Sequence, residues 1–466
     1  MEKEQKKADS VSIMEDLISL CKRRGFIFQG SEIYGGLAGT WDYGPLGVAL
    51  KENLRRMWWK RFVDDRDDMY GIDASILMNQ NVWVATGHVG GFSDPLVDDT
   101  KTGKRYRADH LLEDAGISVV GMTMDAMAVL IKEKGIKSPD GNVLGEVRQF
   151  NMMFQTHVGA IQDETTVSYL RPETAQGMFV NFKNVMDSLH PKLPFGLAQV
   201  GKAFRNEIAP RDFTFRSREF EQMEIEYFVH PDAWEKTFEH FIEEIHGFIA
   251  DAGIPKAKVY EHEISEQDRA FYSKRTIDFE FDFPFGRKEL YGLAYRTDYD
   301  LSAHEKKSGV SLRYNDEEHR EPFVPHCIEP SFGLDRTVLA VLASAYQKEE
   351  VKEGDTRIVM RFSPKIAPVL VAVSPLLRNK PQLVEKAESI YKKLKKEFGR
   401  VIYDDNNNIG KRYRRQDEIG TPFCLVVDFD TIEKDDCVTI RDRDSMKQER
   451  VPVADVVAFL HNHLAL

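Results

Sequence analysis

The sequence predicts an α+β protein in which a large antiparallel sheet with helices is followed by a smaller α/β domain. Aromatic-rich strand patterns alternate with turn patterns between residues 151 and 350, which is typical of an antiparallel sheet. Residues 366–466 instead alternate strand and helix patterns, which is typical of an α/β domain. A chain of 466 residues has room for about two to four domains of ordinary size, so each region can have its own core.

The composition is that of a globular protein, and it excludes several functional classes. Hydrophobic residues make up 42% of the chain and charged residues 30%, so it is neither disordered nor fibrous. The net charge of -12 argues against a protein that coats nucleic acid, and any nucleic-acid contact must be local. The charged start lacks the apolar core of a signal peptide, and no stretch reaches the roughly 18 apolar residues of a membrane span. We therefore predict a cytoplasmic protein without membrane contact.

The cysteines and histidines predict neither a disulfide framework nor a zinc site. The cysteines lie far apart and form no C-x-x-C pair, which fits a reducing compartment. We interpret each of the scattered histidines as a hydrogen-bonded structural residue, and the Asp–Asn run at 404–408 as a turn. The residues considered are Cys21, Cys327, Cys424 and Cys437, with His88, His110, His157, His230, His304 and His326.

Residues 1–89 are predicted to begin the larger domain. Apolar spacing predicts a helix over residues 12–24 that ends at Gly25, and a second helix over residues 49–63. The passage between them, 30–47, is too rich in glycine and aromatic residues for a regular element. We interpret Trp58 and Trp59 as packing residues of the core or of a dimer interface.

Residues 90–150 are predicted to form an insertion, because Gly, Asp and Lys cluster there before two helical patterns and the polar turn KSPDGN. Residues 151–350 then continue the larger domain. The charged segment QKEEVKEGD indicates a solvated boundary, so residues 351–365 are predicted to be a linker to the domain at 366–466.

A first chemical constellation lies between residues 201 and 228, where two strand patterns are joined by a loop around 210–212. The period of two places Arg205 and Glu207 on one face of the first strand. The returning strand presents Phe220, Gln222 and Glu224 together. A cation, carboxylates, an amide and a ring then meet on one side of a sheet. The alternative is an exposed ladder of cross-strand salt bridges, each contributing about 0.2 to 1 kcal/mol.

A second constellation is a turn that enters a helix at residues 328–346. Ser331, Gly333 and Asp335 suit a helix start, and Arg336 lies in the first turn. Helix amino ends attract anions, and an arginine fork strengthens such a site. Because arginine there opposes the helix dipole, its presence indicates a local use.

The run KRYRR at 411–415 is the best candidate for a phosphate-contacting patch, since it lies in a nearly charge-balanced region of an acidic chain. A solvated helix face is the alternative interpretation.

Together with YLRPETAQGMFVNF (169–182), these segments identify a resemblance along the whole chain to the homodimeric, bacterial-type class II glycyl-tRNA synthetases. Arg205 to Phe220 resembles the second motif of that class, and Gly333 to Arg336 resembles the third. SEIYGGLAGTWDYGPLG, RPETAQG, FEQMEIEYF and YRTDYDLSAHEKKSG are similar to segments of the glycine enzymes. Residues 409–423 and VTIRDRD resemble the anticodon-binding domain shared with the histidyl, prolyl and threonyl enzymes.

The resemblance implies a class II antiparallel catalytic domain with an insertion, followed by an α/β anticodon-binding domain. It implies a homodimer whose first, degenerate motif lies in residues 1–89. The implied reaction joins glycine and ATP into glycyl-adenylate and transfers the glycyl group to the 3′ end of tRNA(Gly), with Mg²⁺ and without zinc. The implied catalytic residues are Arg205, Glu207 and Arg336. The implied ATP-binding residues are Arg205, Asn206, Glu207, Phe215, Arg216, Arg218, Phe220, Glu289 (also the Mg²⁺ ligand), Leu290, Gly333 and Arg336.

Glycine has no side chain to grip, and the resemblance implies that acidic residues surround its ammonium group instead. Crowded carboxylates raise each other's proton affinity unless a cation is bound, and the substrate ammonium supplies that cation. Arg107 and Arg296 are expected at the carboxylate end of glycine. The implied glycine-binding residues are Arg107, Glu173, Phe220, Glu221, Gln222, Glu224, Arg296, Glu329 and Ser331. The implied tRNA backbone contacts are Lys411, Arg412, Arg414 and Arg415.

Two rival functions remain at this point. One is a non-catalytic nucleic-acid-binding relative of the same fold, which would not need Arg205, Glu289 or Arg336; all three are present. The other is a class II synthetase for another small amino acid, which the glycine-type segments and the carboxylate set disfavour.

Overall fold

The structure, a computed structural model, describes residues 2–119, 121–270, 272–315 and 321–464, with side chains from residue 13 onward. The helices of these residues, labelled in chain order, are α1 (Glu2–Arg24), α2 (Pro45–Trp59), α3 (Gln80–Ala85), α4 (His88–Gly91), α5 (Ala108–Asp114), α6 (Met124–Glu133), α7 (Ala175–Leu189), α8 (Trp234–Asp251), α9 (Tyr299–Ser308), α10 (Leu334–Ala345), α11 (Pro381–Phe398), α12 (Ile409–Ile419), α13 (Phe429–Glu433) and α14 (Val456–Leu464).

The strands, also labelled in chain order, are β1 (Ile27–Gln29), β2 (Trp41–Tyr43), β3 (Met69–Gly71), β4 (Ser93–Asp98), β5 (Arg105–Arg107), β6 (Arg148–Asn151), β7 (Gln155–His157), β8 (Val167–Tyr169), β9 (Phe195–Phe204), β10 (Glu219–Val229), β11 (Val259–Glu263), β12 (Arg275–Phe283), β13 (Gly286–Thr297), β14 (His326–Gly333), β15 (Tyr346–Lys352), β16 (Asp355–Met360), β17 (Val371–Pro375), β18 (Val401–Tyr403), β19 (Phe423–Val427), β20 (Cys437–Asp442) and β21 (Gln448–Pro452).

The larger domain is built on a sheet with strand order β11-β12-β13-β14-β10-β9-β3. Its pairs are antiparallel except for β3, which runs parallel to β9. β12 shows why the segment is a strand: Ile277, Phe279, Phe281 and Phe283 alternate with polar residues, and the apolar set is buried. The predicted antiparallel sheet is therefore confirmed.

The two faces of β10 have different neighbours. Met223, Ile225 and Tyr227 point into the main core, together with α2, α8 and α10. On the opposite face, Phe228 packs against α7. The rest of that face, toward Phe220, is open and forms the floor of a cavity.

Helix α2 begins four residues earlier than predicted. Pro45 takes the first helical position, where its missing N–H costs nothing, and Gly44 before it is extended. Trp58 is fully buried against Phe62 and Phe332, which makes it a core residue.

The segment predicted as an insertion contains its own small sheet, ordered β5-β4-β6, with α5 and α6 packed beside it. Val97, Leu112 and Ile131 belong to a core separate from that of the main sheet. The polar turn forms as expected, with the Gly141 N–H donating to the Ser138 carbonyl.

Strands β15 and β16 pair as a hairpin that extends into the predicted linker at 351–365. The charged segment QKEEVKEGD is mostly exposed. Arg357 of β16, just beyond that segment, is buried, and its guanidinium donates to the Asp417 carboxylate and the Arg443 carbonyl of the C-terminal domain.

The C-terminal domain has a sheet of order β18-β17-β19-β20-β21, parallel in β18, β17 and β19 and antiparallel beyond. Pro381 starts α11, and Leu383, Ala387, Ile390 and Leu394 form its buried face at helical spacing. The predicted α/β domain is confirmed. Within the described ranges, no helix combines the length and the apolar character that crossing a membrane requires.

Candidate active site

A cavity of about 470 Å³ opens on the uncovered face of β10, between β9, β13, β14 and the start of α10. Strands β10 and β14 pair so that Glu224 lies opposite Ser331 and Gln222 opposite Gly333. The residues predicted from the sequence that line it are Glu173, Arg205, Glu207, Phe215, Arg216, Phe220, Glu221, Gln222, Glu224, Glu289, Leu290, Glu329, Ser331, Gly333 and Arg336. Residues distant in the chain therefore share one cavity.

One end of the cavity is basic and aromatic. The Arg205 guanidinium lies 5.3 Å from the ring centres of both Phe92 and Phe220, and its Nε donates to the Pro172 carbonyl at 3.1 Å. The contact from Phe92 brings the start of the insertion to the cavity. The N–H of Asn206 also donates to the Met152 carbonyl, and the Met152 N–H to the Phe92 carbonyl.

Arg336 forms the opposite wall of this end. Its guanidinium lies 4.5 Å from the Phe215 ring centre, and its Nη1 is 3.1 Å from Glu289 Oε2. The Arg336 charge lowers the pKa of Glu289. Burial, followed by the Glu289 carboxylate, raises the pKa of Asp278 to about 7. Asp278 was not predicted from the sequence. The alternation of polar and apolar residues in β12 could have indicated it, because Asp278 and Thr276 lie on the strand face that points away from the core.

Several polar atoms lining the cavity are buried without a hydrogen-bond partner in the described structure. They are Arg216 Nη1, Glu207 Oε2, Thr214 Oγ1, Gln222 Oε1 and Arg269 Nε. Buried polar groups in native proteins are nearly always paired. Both donors and acceptors are left over, so the cavity is built for a polar ligand that supplies the missing partners.

The other end of the cavity is acidic, and Glu224 is its most firmly held member. Glu224 Oε1 accepts from Gln222 Nε2 at 2.7 Å and from Ser331 Oγ at 2.8 Å. Its Oε2 accepts from both the backbone N–H and the hydroxyl of Thr174. Burial and the carboxylate of Glu173 raise the pKa of Glu224.

Glu329 lies beside it and accepts from Arg296 Nη1 at 2.8 Å. Burial raises the pKa of Glu329 to about 8 despite that bond, and Glu224 adds to the rise. The rest of the Arg296 fork is held by Asp300, at 2.7 and 2.8 Å.

Glu173 completes the acidic end. Its Oε1 accepts from Gln176 Nε2 at 3.0 Å, and its Oε2 lies 3.4 Å from His88 Nε2. Burial would raise the pKa of Glu173, but His88, Arg296 and Gln176 together hold it well below its ordinary value. The sequence reasoning had interpreted His88 only as a structural residue.

Some of the predicted residues do not line the cavity. The two arginines expected to bind the substrate carboxylate are already in ion pairs. Arg107 pairs with Asp94 and Asp109. Arg296, which is 1% exposed, pairs with Asp300 and Glu329. Arg218 donates to the backbone carbonyls of Glu207 and Ala38, and the Asn206 backbone is bonded as described above. Asp109 and Asp300 lie only two and four residues from Arg107 and Arg296, whereas Asp94, Glu329 and the Ala38 carbonyl are distant in the chain and have no local sequence signal.

The four basic residues expected to contact tRNA differ in how exposed their side chains are and in whether they are already paired. Lys411 is exposed at the start of α12. The expected phosphate contact of Arg412 does not fit the structure. Arg412 is 2% exposed, and its guanidinium donates to backbone carbonyls including that of Pro375, so it cannot reach a phosphate. Arg414 and Arg415 are paired with Asp355 and Asp404.

The carboxylates at the basic end of the cavity are suited to hold Mg²⁺ together with the phosphates of a substrate, and less suited to hold a metal ion by protein ligands alone. Mg²⁺ is usually bound by one or two carboxylates plus substrate phosphates, and Glu289 and Asp278 at the basic end provide such a pair. No set of three or more His, Cys, Asp or Glu side chains within the described ranges is arranged to hold a metal ion.

The comparisons with known proteins agree with this fold. The family described as tRNA synthetase class II core domain (G, H, P, S and T) matches residues 154–345, and the family described as Anticodon binding domain matches residues 370–463. The fold is thus that of a class II aminoacyl-tRNA synthetase.

Relatives over nearly the full length are more specific. The chain is 50% identical to the Glycine--tRNA ligase of Clostridium acetobutylicum, covering 97% of this chain and 98% of the relative. It is 49% identical to that of a Bacillus cereus strain (97% and 99%) and 49% identical to that of Lachnospira eligens (96% and 98%). The chain belongs to the glycine–tRNA ligase family.

Proposed function

We propose that this chain activates glycine with ATP and transfers it to the 3′ end of tRNA(Gly). The observation that carries the proposal is a cavity with a basic, aromatic end and an acidic end. A nucleotide suits the first end and a small ammonium compound suits the second. Membership of the glycine–tRNA ligase family supports both assignments.

The basic end is assigned to ATP. Arg205, held between two rings and by the Pro172 carbonyl, would contact the α-phosphate. Arg216 has a free buried N–H for an outer phosphate oxygen. Phe220 and the Arg336 guanidinium would stack on the adenine from opposite sides, and Glu207 would accept from its amino group.

Glu289 and Asp278 would hold Mg²⁺ against the phosphates. When bound, the ion neutralises the charge that develops as pyrophosphate leaves. Arg336, paired with Glu289, keeps that carboxylate ionised and in place for the ion.

The acidic end is assigned to the glycine ammonium, which would lie among Glu173, Glu224 and Glu329. The cluster is short of positive charge, since Arg296 is shared with Asp300, so a bound cation relieves repulsion among the carboxylates. The substrate carboxylate then points toward Arg205. Arg107 and Arg296 are already paired with other carboxylates and would not bind it.

Two displacements follow from this placement. A glycine carboxylate oxygen attacks the α-phosphorus, the bond to pyrophosphate breaks, and glycyl-adenylate forms. A ribose hydroxyl of the tRNA then attacks the glycyl carbonyl carbon, and AMP leaves. Because the substrates supply both nucleophiles, the protein contributes orientation and charge stabilisation through Arg205, Arg216 and Arg336.

The tRNA would be held by the C-terminal domain at 366–466, with Lys411 as an available phosphate contact. Residues 90–150 are proposed as an insertion in a catalytic region spanning 1–350.

We also propose a homodimer, because Ile33 and Tyr34 of the glycine-rich segment are 87% and 86% exposed, with Leu37 beside them. The cytoplasmic location and the absence of zinc stay predictions from the sequence.

The test is amino-acid-dependent exchange between ATP and pyrophosphate across the twenty amino acids. Glycine should stand out, and Glu173→Ala should lower the exchange at least about tenfold, since a buried charge partner of the substrate is lost. The exposed Glu164, outside the cavity, gives the matched control Glu164→Ala. No exchange with any amino acid would favour the non-catalytic relative, and exchange with another amino acid would refute glycine specificity.

A further inference from the structure

His88 lies in the segment leading into the small β5-β4-β6 sheet and contacts Glu173 at the acidic end of the cavity. Its Nε2 lies 3.4 Å from Glu173 Oε2, and its Nδ1 lies 2.7 Å from the Thr86 hydroxyl. The His88 ring also contacts Trp83 and Phe92, with ring centres 5.4 and 5.6 Å apart. The imidazole is therefore held on three sides.

The contact with Glu173 requires a hydrogen on His88 Nε2, because an ionised carboxylate only accepts. The Thr86 hydroxyl has a single hydrogen, which goes either to the Val82 carbonyl or to His88 Nδ1. Thr86 Oγ1 is itself buried and also reaches the Val82 carbonyl at 3.1 Å. Thr86 thereby orients the ring, and the ring orients one oxygen of Glu173 while Gln176 orients the other.

We propose that His88 is a positioning residue for glycine recognition, which keeps the Glu173 carboxylate ionised and aimed at the substrate ammonium. The inference rests on the proposed function, in which Glu173 contacts that ammonium. His88 touches no substrate itself and acts only through Glu173.

The electrostatics of the acidic end explain why such a residue is needed. Glu173 is packed near two further carboxylates, and burial favours its neutral form. A neutral Glu173 would lose most of its attraction for an ammonium group. The other charged or titratable groups around the pair include Glu224 of β10, Tyr272, Arg296 of β13, Asp300 and His304 of α9, and Glu329 of β14.

The sign of the pH effect follows. His88 contributes to holding the pKa of Glu173 below its ordinary value, so removing the imidazole raises that pKa. The variant then takes up a proton on Glu173 at a higher pH than the unmodified protein does. Its defect in glycine binding should be largest at low pH and should shrink as the pH rises.

The experiment measures glycine-dependent pyrophosphate exchange for His88→Leu and His88→Gln from pH 6.5 to 9. At pH 6.5 we expect the glycine KM of His88→Leu to rise about tenfold or more, the effect of losing one charge-assisted hydrogen bond, with kcat changed less than about threefold. The glycine KM of His88→Gln, which keeps an amide donor, should lie between those of His88→Leu and the unmodified protein. The ratio of variant to unmodified KM should be largest at pH 6.5 and should fall as the pH rises to 9, where only the loss of orientation is left.

The matched control is His157→Leu, because His157 is also hydrogen-bonded to a threonine hydroxyl, that of Thr166, but lies outside the cavity. Its kinetics should be unchanged. A normal glycine KM in the His88 variants, a fall in kcat alone, or a KM ratio independent of pH would overturn the inference. If His88→Leu fails to fold, His88→Gln decides by the same pH comparison. An unmodified protein without glycine-dependent exchange would refute the proposed function and this inference with it.

Discussion

At the scale of single residues, the site combines carboxylates that are held ionised with carboxylates that resist ionisation. Arg336 lowers the pKa of Glu289, whereas burial raises the pKa of Glu329 to about 8 and that of Asp278 to about 7. Glu329 and Asp278, whose pKa values are raised, both suit a positively charged ligand, because the charge of the ligand would favour loss of their protons. Binding of glycine or of Mg²⁺ is thus expected to be linked to pH.

Glycine binding should be linked to release of a proton from Glu329. Below about pH 8 the empty cavity holds that proton, and a bound ammonium group favours the carboxylate. The glycine KM should therefore fall as the pH rises from 6.5 to 8.5, by at most about tenfold per pH unit. Exchange assays across this range measure the slope. Glu329→Gln should flatten the profile, and an equally steep profile in that variant would exclude Glu329 as the group responsible.

At the scale of elements, the start of α10 is fastened to the sheet by one buried carboxylate. Asp335 Oδ2 accepts from the Glu221 backbone N–H at 2.6 Å, and its Oδ1 accepts from Lys51 at 3.2 Å and from the Tyr43 hydroxyl. Arg336 follows directly, so these bonds of Asp335 set where the arginine of α10 meets the cavity. Residues of β2, α2, β10 and α10 converge at this point.

Replacing Asp335 by Asn should destabilise the larger domain. The change removes the charge that two donors and a buried lysine share, which costs about 2 kcal/mol or more. The measurement is the urea midpoint by circular dichroism, together with the ATP KM, which should rise as Arg336 shifts. Asp430→Asn is the control, because Asp430 pairs with Lys434 on the surface and its loss should leave the midpoint unchanged. Equal midpoints in the two variants would contradict the role of Asp335.

Local patterns predicted the elements that rest on local chemistry. The period of two in β10 placed Phe220, Gln222 and Glu224 on one face, and the helix start at Gly333 is confirmed, because both depend on neighbours in the chain. The commitments of Arg107 and Arg296 could be predicted only in part, since Asp300 lies four residues from Arg296, whereas Asp94 and Glu329 reach the two arginines only in the folded molecule. The burial of Arg412 and the pairing of His88 with Glu173 were hidden for the same reason.

At the scale of the whole molecule, the exposed apolar residues are unevenly distributed. Ile33, Tyr34 and Leu37 project from one short segment beside β1 and β2, and Val48 of α2 is also exposed. Exposed apolar residues that cluster usually mark an interface. The proposed homodimer would bury this segment, which in turn contacts the loop of Arg218 through the Ala38 carbonyl.

The double substitution Ile33→Ser and Tyr34→Ser should shift the proposed dimer toward the monomer, because it removes apolar area from the centre of the interface. Light scattering after size-exclusion chromatography at micromolar concentrations measures the mass. Val143→Ser and Ile161→Ser, at exposed apolar positions elsewhere, provide the control and should not change the mass. A monomeric unmodified protein over the same concentrations would refute the dimer.

The bond network at the neck of the small β5-β4-β6 sheet has a mechanical consequence. The outgoing chain at Phe92 and the returning chain at Met152 are hydrogen-bonded to each other, the Met152 carbonyl holds the Asn206 N–H, and Phe92 lies against Arg205. Backbone hydrogen bonds therefore connect the neck of the small sheet to the residue that follows Arg205, and the Phe92 ring adds a direct contact with the Arg205 side chain. A displacement of the small sheet would therefore be transmitted to the basic end of the cavity.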